Sequence, residues 1–206
     1  MNEAELEIWH QEISVLKQRV KAHKHTPDLI AFYGSSSIRL WETMSKDLAP
    51  YKVINLGFGG STFGLCSYFF DEVFEHFTPR EIVLYGGDND LSKISPRETL
   101  TNLRALISKI IKKYDKPTLS LISIKPSPER AYLQEQILLL NEKLKKIIEA
   151  APNGRYIDIH PQMLDQKGDA IPELFMEDQL HMNPRGYKIW KEVMIDHLKQ
   201  RFNGQG

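Results

Sequence analysis

The sequence predicts an α/β fold, a three-layer α/β/α sandwich around a central five-stranded parallel sheet. Three observations predict it. Five apolar runs have strand length, most are continuous instead of alternating, and the segments between them carry helical periodicity. Continuous apolarity marks strands covered on both faces. Strand followed by helix along the chain gives parallel neighbours. At 206 residues the chain suits one domain spanning 1–206, with an N-terminal helix and connector over 1–27 and a core over 28–202.

The elements follow in order. Leu6, Trp9, Ile13, Leu16 and Val20 step by three and four, which predicts an amphipathic first helix. Residues 21–28 read as a solvated connector. The strands are expected at Leu29–Tyr33, Val53–Leu56, Ile82–Tyr85, Leu119–Ile124 and Tyr156–Ile159. Ser95-Pro96-Arg97-Glu98 combines an N-cap, a proline at the first helical position and a capping-box glutamate, so a helix opens there. Leu100, Leu103, Ile107 and Ile110 supply its buried stripe. Ser127-Pro128 opens the next helix and Asn183-Pro184 the last, with Tyr187, Trp190 and Met194 on its apolar side. The expected sheet is flavodoxin-like, and in such sheets ligands bind beyond the carboxyl ends of the strands.

Composition removes several function classes. Lys plus Arg and Asp plus Glu both number 27, so no net charge draws the chain to nucleic acid or an anionic membrane. The single cysteine, Cys66, precedes Phe69, Phe70, Val73 and Phe74 and reads as a small buried hydrophobe. No run approaches the roughly 18 apolar residues of a membrane span. The acidic start Met1-Asn-Glu-Ala-Glu-Leu is unlike a secretory signal, so a cytoplasmic location is expected.

The segments after the strands carry the chemistry. Gly34-Ser35-Ser36-Ser37 follows the first; a hydroxyl at a strand-to-helix turn lies near free backbone N–H groups. An ordinary serine N-cap or an anion cradle would use the same residues. Gly57-Phe58-Gly59-Gly60-Ser61-Thr62 follows the second, and it fails the dinucleotide fingerprint because Thr62 takes the last glycine position. Gly87-Asp88-Asn89-Asp90 follows the third; an Asn amide can donate to a developing oxyanion, although the same residues also make ordinary turns. Metal ligation by Asp88 and Asp90 lacks a third carboxylate. Near the C-terminus, Asp178 stands three residues before His181, close enough to hold one ring nitrogen and leave the other for a serine proton. His160 is the competing base.

Taken together and in this order, these four segments resemble the blocks of the SGNH (GDSL-type) hydrolases. Gly34-Ser35-Ser36 matches the Gly-Asp-Ser block, Gly59-Gly60-Ser61-Thr62 the glycine block, and Gly87-Asp88-Asn89-Asp90 the Gly-x-Asn-Asp block. Asp178 through Tyr187 matches the Asp-x-x-His block, so the resemblance covers Phe32 to Tyr187. One position departs: Ser35 stands where the family usually has Asp. The resemblance implies a serine esterase that works through an acyl-enzyme, with Ser36 as nucleophile, His181 as base and Asp178 as its partner. It implies an oxyanion hole from the Ser36 and Gly60 N–H groups and the Asn89 amide, with no metal or organic cofactor. The implied partner is a small-molecule ester, such as an acetylated carbohydrate or another short-chain ester; lysophospholipase and thioesterase activities occur in the same family.

Two other classes remain open at this stage: a non-catalytic phosphosugar- or anion-binding domain, and an inactive family member. The α/β-hydrolase alternative fails because Ile38 occupies the second glycine of its Gly-x-Ser-x-Gly elbow. Trp41, Phe58 and Phe63 are the expected pocket walls, with core packing as the alternative for each. Leu164–Phe175 is the one candidate for a cover over the site. Oligomeric state is not legible.

Overall fold

The computed structural model describes residues 3–202. Helix α1 (Glu3–His23) leads into strand β1 (Ile30–Gly34), the short helices α2 (Ser36–Arg39) and α3 (Met44–Asp47), and β2 (Val53–Gly57). Helix α4 (Phe63–Val73), β3 (Glu81–Tyr85), the single turn α5 (Asp88–Leu91), α6 (Pro96–Tyr114) and β4 (Leu119–Ile122) follow. A 3₁₀ segment (Pro128–Leu133), α7 (Gln134–Glu149), β5 (Gly154–Ile157) and α8 (Pro184–Phe202) complete the order. The sheet is parallel throughout, with strand order β2-β1-β3-β4-β5. All five strands lie where the apolar runs placed them, within two residues at most ends.

Strand alternation sorts the core into two layers. Ala31, Tyr33, Ile54, Leu56, Ile82 and Leu84 face α1, α4, α6 and α7. Ile30, Phe32, Val53, Val83 and Tyr85 face α2, α3 and α8. Helix α1 docks through Leu6, Ile13, Leu16 and Val20, the stripe its periodicity marks, and Trp9 is half-buried at its edge. Ser95 caps α6 by accepting from the Glu98 N–H, as the capping-box pattern requires. Cys66 is buried, and burial pushes its thiol well above the ordinary value.

Strand order reverses at β1, whose neighbours β2 and β3 run out from it in opposite directions. In sheets of this kind the switch point is where ligands bind, above the carboxyl ends of the strands. No helix among the described residues is long and apolar enough to cross a membrane.

Candidate active site

The turn that carries the candidate nucleophile, Ser36, is set by close packing. A Cβ at Gly34 would lie 1.9 Å from the Tyr85 carbonyl oxygen on β3, so only glycine lets β1 end there. The Ser35 N–H donates to that carbonyl, and the Ser35 carbonyl accepts from the Ile38 and Arg39 N–H groups, which starts α2. Ser35 is fully buried, yet its hydroxyl makes no cap bond and has no partner among the described residues. Ser36, next along, is the first residue of α2, where backbone N–H groups have no intrahelical acceptor. Asn55 on β2 braces this turn from below by donating to the Ile38 carbonyl at 2.6 Å.

The candidate base, His181, is built on the loop ahead of α8. Asn183 ties both ends of that loop: its amide donates to the Glu173 and Phe175 carbonyls, and its oxygen accepts from the Arg185 and Gly186 N–H groups. Asp178 Oδ1 accepts from the Leu180 and His181 N–H groups, which curls the intervening residues into an Asx turn. Asp178 Oδ2 lies 2.6 Å from His181 Nδ1. A carboxylate only accepts, so Nδ1 carries the proton and Nε2 is free to accept one. Nε2 lies 3.0 Å from Ser36 Oγ, across 145 residues of chain. Burial alone would raise the Asp178 carboxyl, but the bonds from His181 and the loop N–H groups outweigh it and bring it down to about 2. It is therefore ionised wherever the imidazole needs it.

His160, the competing base, is buried in the core and donates through Nδ1 to the Ile124 carbonyl at 2.8 Å. His181 alone is bonded to a candidate nucleophile.

The third wall comes from β2 and β3. Gly60 has φ +64°, a left-handed conformation that favours glycine, and a Cβ there would meet nothing within 4 Å. The Asn89 amide donates one proton to the Ser61 carbonyl at 3.1 Å, which leaves its second N–H for another acceptor. Asp88 and Asp90 behave as structural groups. Asp88 sits 3.8 Å from the buried Lys125 ammonium, and Asp90 accepts from the Phe63 N–H at the start of α4. Burial raises Asp90 to about 7, with the Asp88 charge adding to it and backbone bonds opposing it. No group of three or more His, Cys, Asp or Glu side chains is placed to hold a metal ion among the described residues.

The expected pocket aromatics need correction. Trp41, Phe58 and Phe63 are 1%, 0% and 1% exposed, so none can wall an open pocket. Trp41 stacks on Tyr187 under α8 and donates to Asp47, whereas Phe58 and Phe63 belong to the opposite core layer. The clefts actually flanking the site use other residues. One of about 740 Å³ is lined by Trp9, Thr62, Leu65, Tyr68 and Asn102 beside the Gly60 loop. Another of about 610 Å³ is lined by Leu40, Met176, Met182 and Tyr187 beside the His181 loop. The segment 164–175 is a folded turn, with Leu164 bridged to Ala170, Gln134 of α7 donating to the Gly168 carbonyl, and Leu174 and Phe175 buried.

Lys125 is the residue that sequence reasoning missed. Burial lowers its ammonium, a shift the Asp88 charge partly offsets. Its Nζ donates to the Leu180 carbonyl at 2.8 Å, inside the Asp178–His181 loop. A lysine between a β-strand and Pro126 was the available signal, since a charge directly after a buried strand needs a partner.

Comparison with known proteins agrees with this fold. A structure from Streptococcus pneumonia, provisionally assigned as a platelet activating factor, superposes with TM-score 0.78 at 21% identity, covering 96% of this chain and 100% of its own. The psychrotrophic esterase EstA from Pseudoalteromonas sp., in a form inhibited by monoethylphosphonate, gives 0.66 at 21% identity over 85% and 99%. A Clostridium thermocellum family 3 carbohydrate esterase gives 0.67 at 17% over 85% and 97%. No curated protein matches the sequence. The sequence model of the GDSL-like Lipase/Acylhydrolase family matches residues 28–189, and the chain belongs to that family.

Proposed function

We propose that this protein is a serine esterase that hydrolyses small carboxylic esters through an acyl-enzyme. The observation that carries the reading is the continuous chain from Asp178 Oδ2 to His181 Nδ1 and from His181 Nε2 to Ser36 Oγ, at 2.6 and 3.0 Å. His181 takes the Ser36 proton as Oγ bonds to the ester carbonyl carbon. The carbonyl π electrons move to oxygen, and the ionised Asp178 stabilises the imidazolium. Collapse of the tetrahedral intermediate expels the alcohol, which leaves with the proton from His181. Water then repeats the cycle on the acyl-enzyme and releases the acid. The Ser36 and Gly60 N–H groups and the free Asn89 N–H are the donors for the oxyanion.

A short acyl group, as in an acetylated carbohydrate, is the favoured substrate. His181 keeps 28% of its side chain exposed and the 164–175 turn is tied to α7 as a short folded segment, which favours a compact ester. The carbohydrate esterase among the structural neighbours supports a sugar as the alcohol. The phosphonate-inhibited neighbour suggests the probe. The test is hydrolysis of p-nitrophenyl esters from acetate to palmitate, with fluorophosphonate labelling, by wild type and Ser36→Ala. Turnover and labelling that vanish in the variant, with the optimum at short chains, are expected. A folded wild type with neither would overturn the reading and favour an anion-binding domain.

A further inference from the structure

Helix α1 lies outside the residues the family model matches, yet it holds the glycine loop of the site by both polar groups of one residue. Trp9 Nε1–H donates to the Gly59 carbonyl at 2.8 Å. Glu12 Oε2 accepts from the Gly59 N–H at 2.7 Å. The same Glu12 oxygen lies 4.0 Å from Arg39 Nε, on the helix that begins with Ser36.

Peptide geometry turns the first bond into a statement about catalysis. The Gly59 carbonyl and the Gly60 N–H belong to one planar peptide unit, and Ala49-Pro50 is the only cis bond among the described residues, so this unit is trans. In a trans unit the C=O and N–H point in opposite directions. Anchoring the carbonyl on Trp9 therefore aims the Gly60 N–H away from α1. Gly60 cannot hold that aim alone: its left-handed φ carries no side chain, and no neighbour lies within 4 Å of where one would be. A glycine pair with freedom on both sides needs an external anchor, and Trp9 with Glu12 supplies it.

We infer that Trp9 is a positioning residue for the oxyanion hole, fixing the Gly59–Gly60 peptide plane so that the Gly60 N–H faces the reacting carbonyl. This rests on the assignment of Gly60 as an oxyanion donor. Helix docking itself does not depend on the bond, because Leu6, Ile13, Leu16 and Val20 are buried independently of it.

The experiment compares wild type, Trp9→Phe, and a protein carrying 3-benzothienylalanine at position 9, which keeps the fused ring and replaces only the N–H. Lys17→Ala, which breaks the exposed ion pair from α1 to Glu72, is the control for general loosening of the helix. Misaimed oxyanion donors act on the transition state, so kcat for p-nitrophenyl acetate should fall about tenfold in both position-9 variants. KM should stay within about twofold and Lys17→Ala should match wild type, because ground-state binding is spared. The Gly60 amide cross-peak in ¹⁵N-correlated NMR should shift while signals on the far side of the sheet hold. An unchanged kcat in the folded benzothienyl protein overturns the proposal whether or not the amide moves, and so does an equal loss in Lys17→Ala. A wild type that is neither active nor labelled by a fluorophosphonate sinks the hydrolase reading instead. In that case an unshifted Gly60 amide also rejects Trp9 as the anchor, and a shifted one retains it as the anchor of the peptide plane.

Discussion

The two halves of the site are held in place by different forces. Ser36, Gly60 and Asn89 follow β1, β2 and β3, and the Ser36 turn is packed so tightly that Gly34 cannot carry a Cβ. Asp178 and His181 stand on a loop, with 49% and 28% of their side chains exposed. Hydrogen bonds fix that loop: Lys125 to the Leu180 carbonyl, the Glu129 N–H to the Gln179 carbonyl, and the Met176 N–H to the His181 carbonyl. The Ser36 turn is rigid because moving it would break the sheet, and the Gly60 loop is held by Trp9 and Glu12. The loop half is rigid only while its polar contacts survive, and that is where chemistry is most easily lost without loss of fold.

The sharpest way to break the comparison is Asp178→Asn. The asparagine oxygen still accepts from the Leu180 and His181 N–H groups, so the loop keeps its shape. Its amide then faces Nδ1 and favours the wrong tautomer, and kcat should fall about 10⁴-fold with little change in Tm. A loss below tenfold, read by p-nitrophenyl acetate turnover, would remove Asp178 from the mechanism.

Asn89→Ala acts on the strand-end half. It deletes one proposed oxyanion donor and should cost on the order of 3 kcal/mol in the barrier, with KM nearly constant. Steady-state kinetics decide it; a rise in KM alone would make Asn89 a binding residue.

Asp90→Asn probes the buried charge beneath that half. Burial holds the Asp90 carboxyl at about 7, above its ordinary value near 4. The folded state therefore keeps a proton that the unfolded chain gives up. That contribution is complete below about pH 4 and is lost as pH rises through about 7, at no more than about 1.4 kcal/mol per pH unit. The asparagine variant should lack this slope, so its stability relative to wild type should climb from pH 4 to 7. Parallel urea titrations across that range would contradict the assignment.

Ser35→Ala has the smallest expected effect. It removes a buried hydroxyl with no partner, which should change stability by less than about 1 kcal/mol and leave kcat within about twofold. A larger loss in either measurement would mean that the Ser35 hydroxyl serves the turn after all.

Much of the fold, and the position of the four site segments after their strands and ahead of α8, was legible because each depends on local chemistry. Continuous apolar runs mark covered strands, and Asn183-Pro184 marks the start of α8 and so places the Asp178–His181 loop. A glycine or serine directly after a strand is read one turn at a time. The pocket aromatics were misread for the complementary reason. Nearness in sequence to Ser36 or Gly60 does not say which way a ring points, and Trp41, Phe58 and Phe63 all turn inward.

The sequence by itself determined the chain order of the chemistry-bearing turns: serine, glycine, asparagine, then Asp-x-x-His. Only the tertiary structure decided which distant groups brace them. Trp9 reaches Gly59 across 50 residues, and Lys125 reaches Leu180 across 55. Both bonds end on backbone carbonyls, which every residue possesses, so no side-chain pattern at the acceptor announces them. Contacts of that kind exist only once packing has brought the elements together.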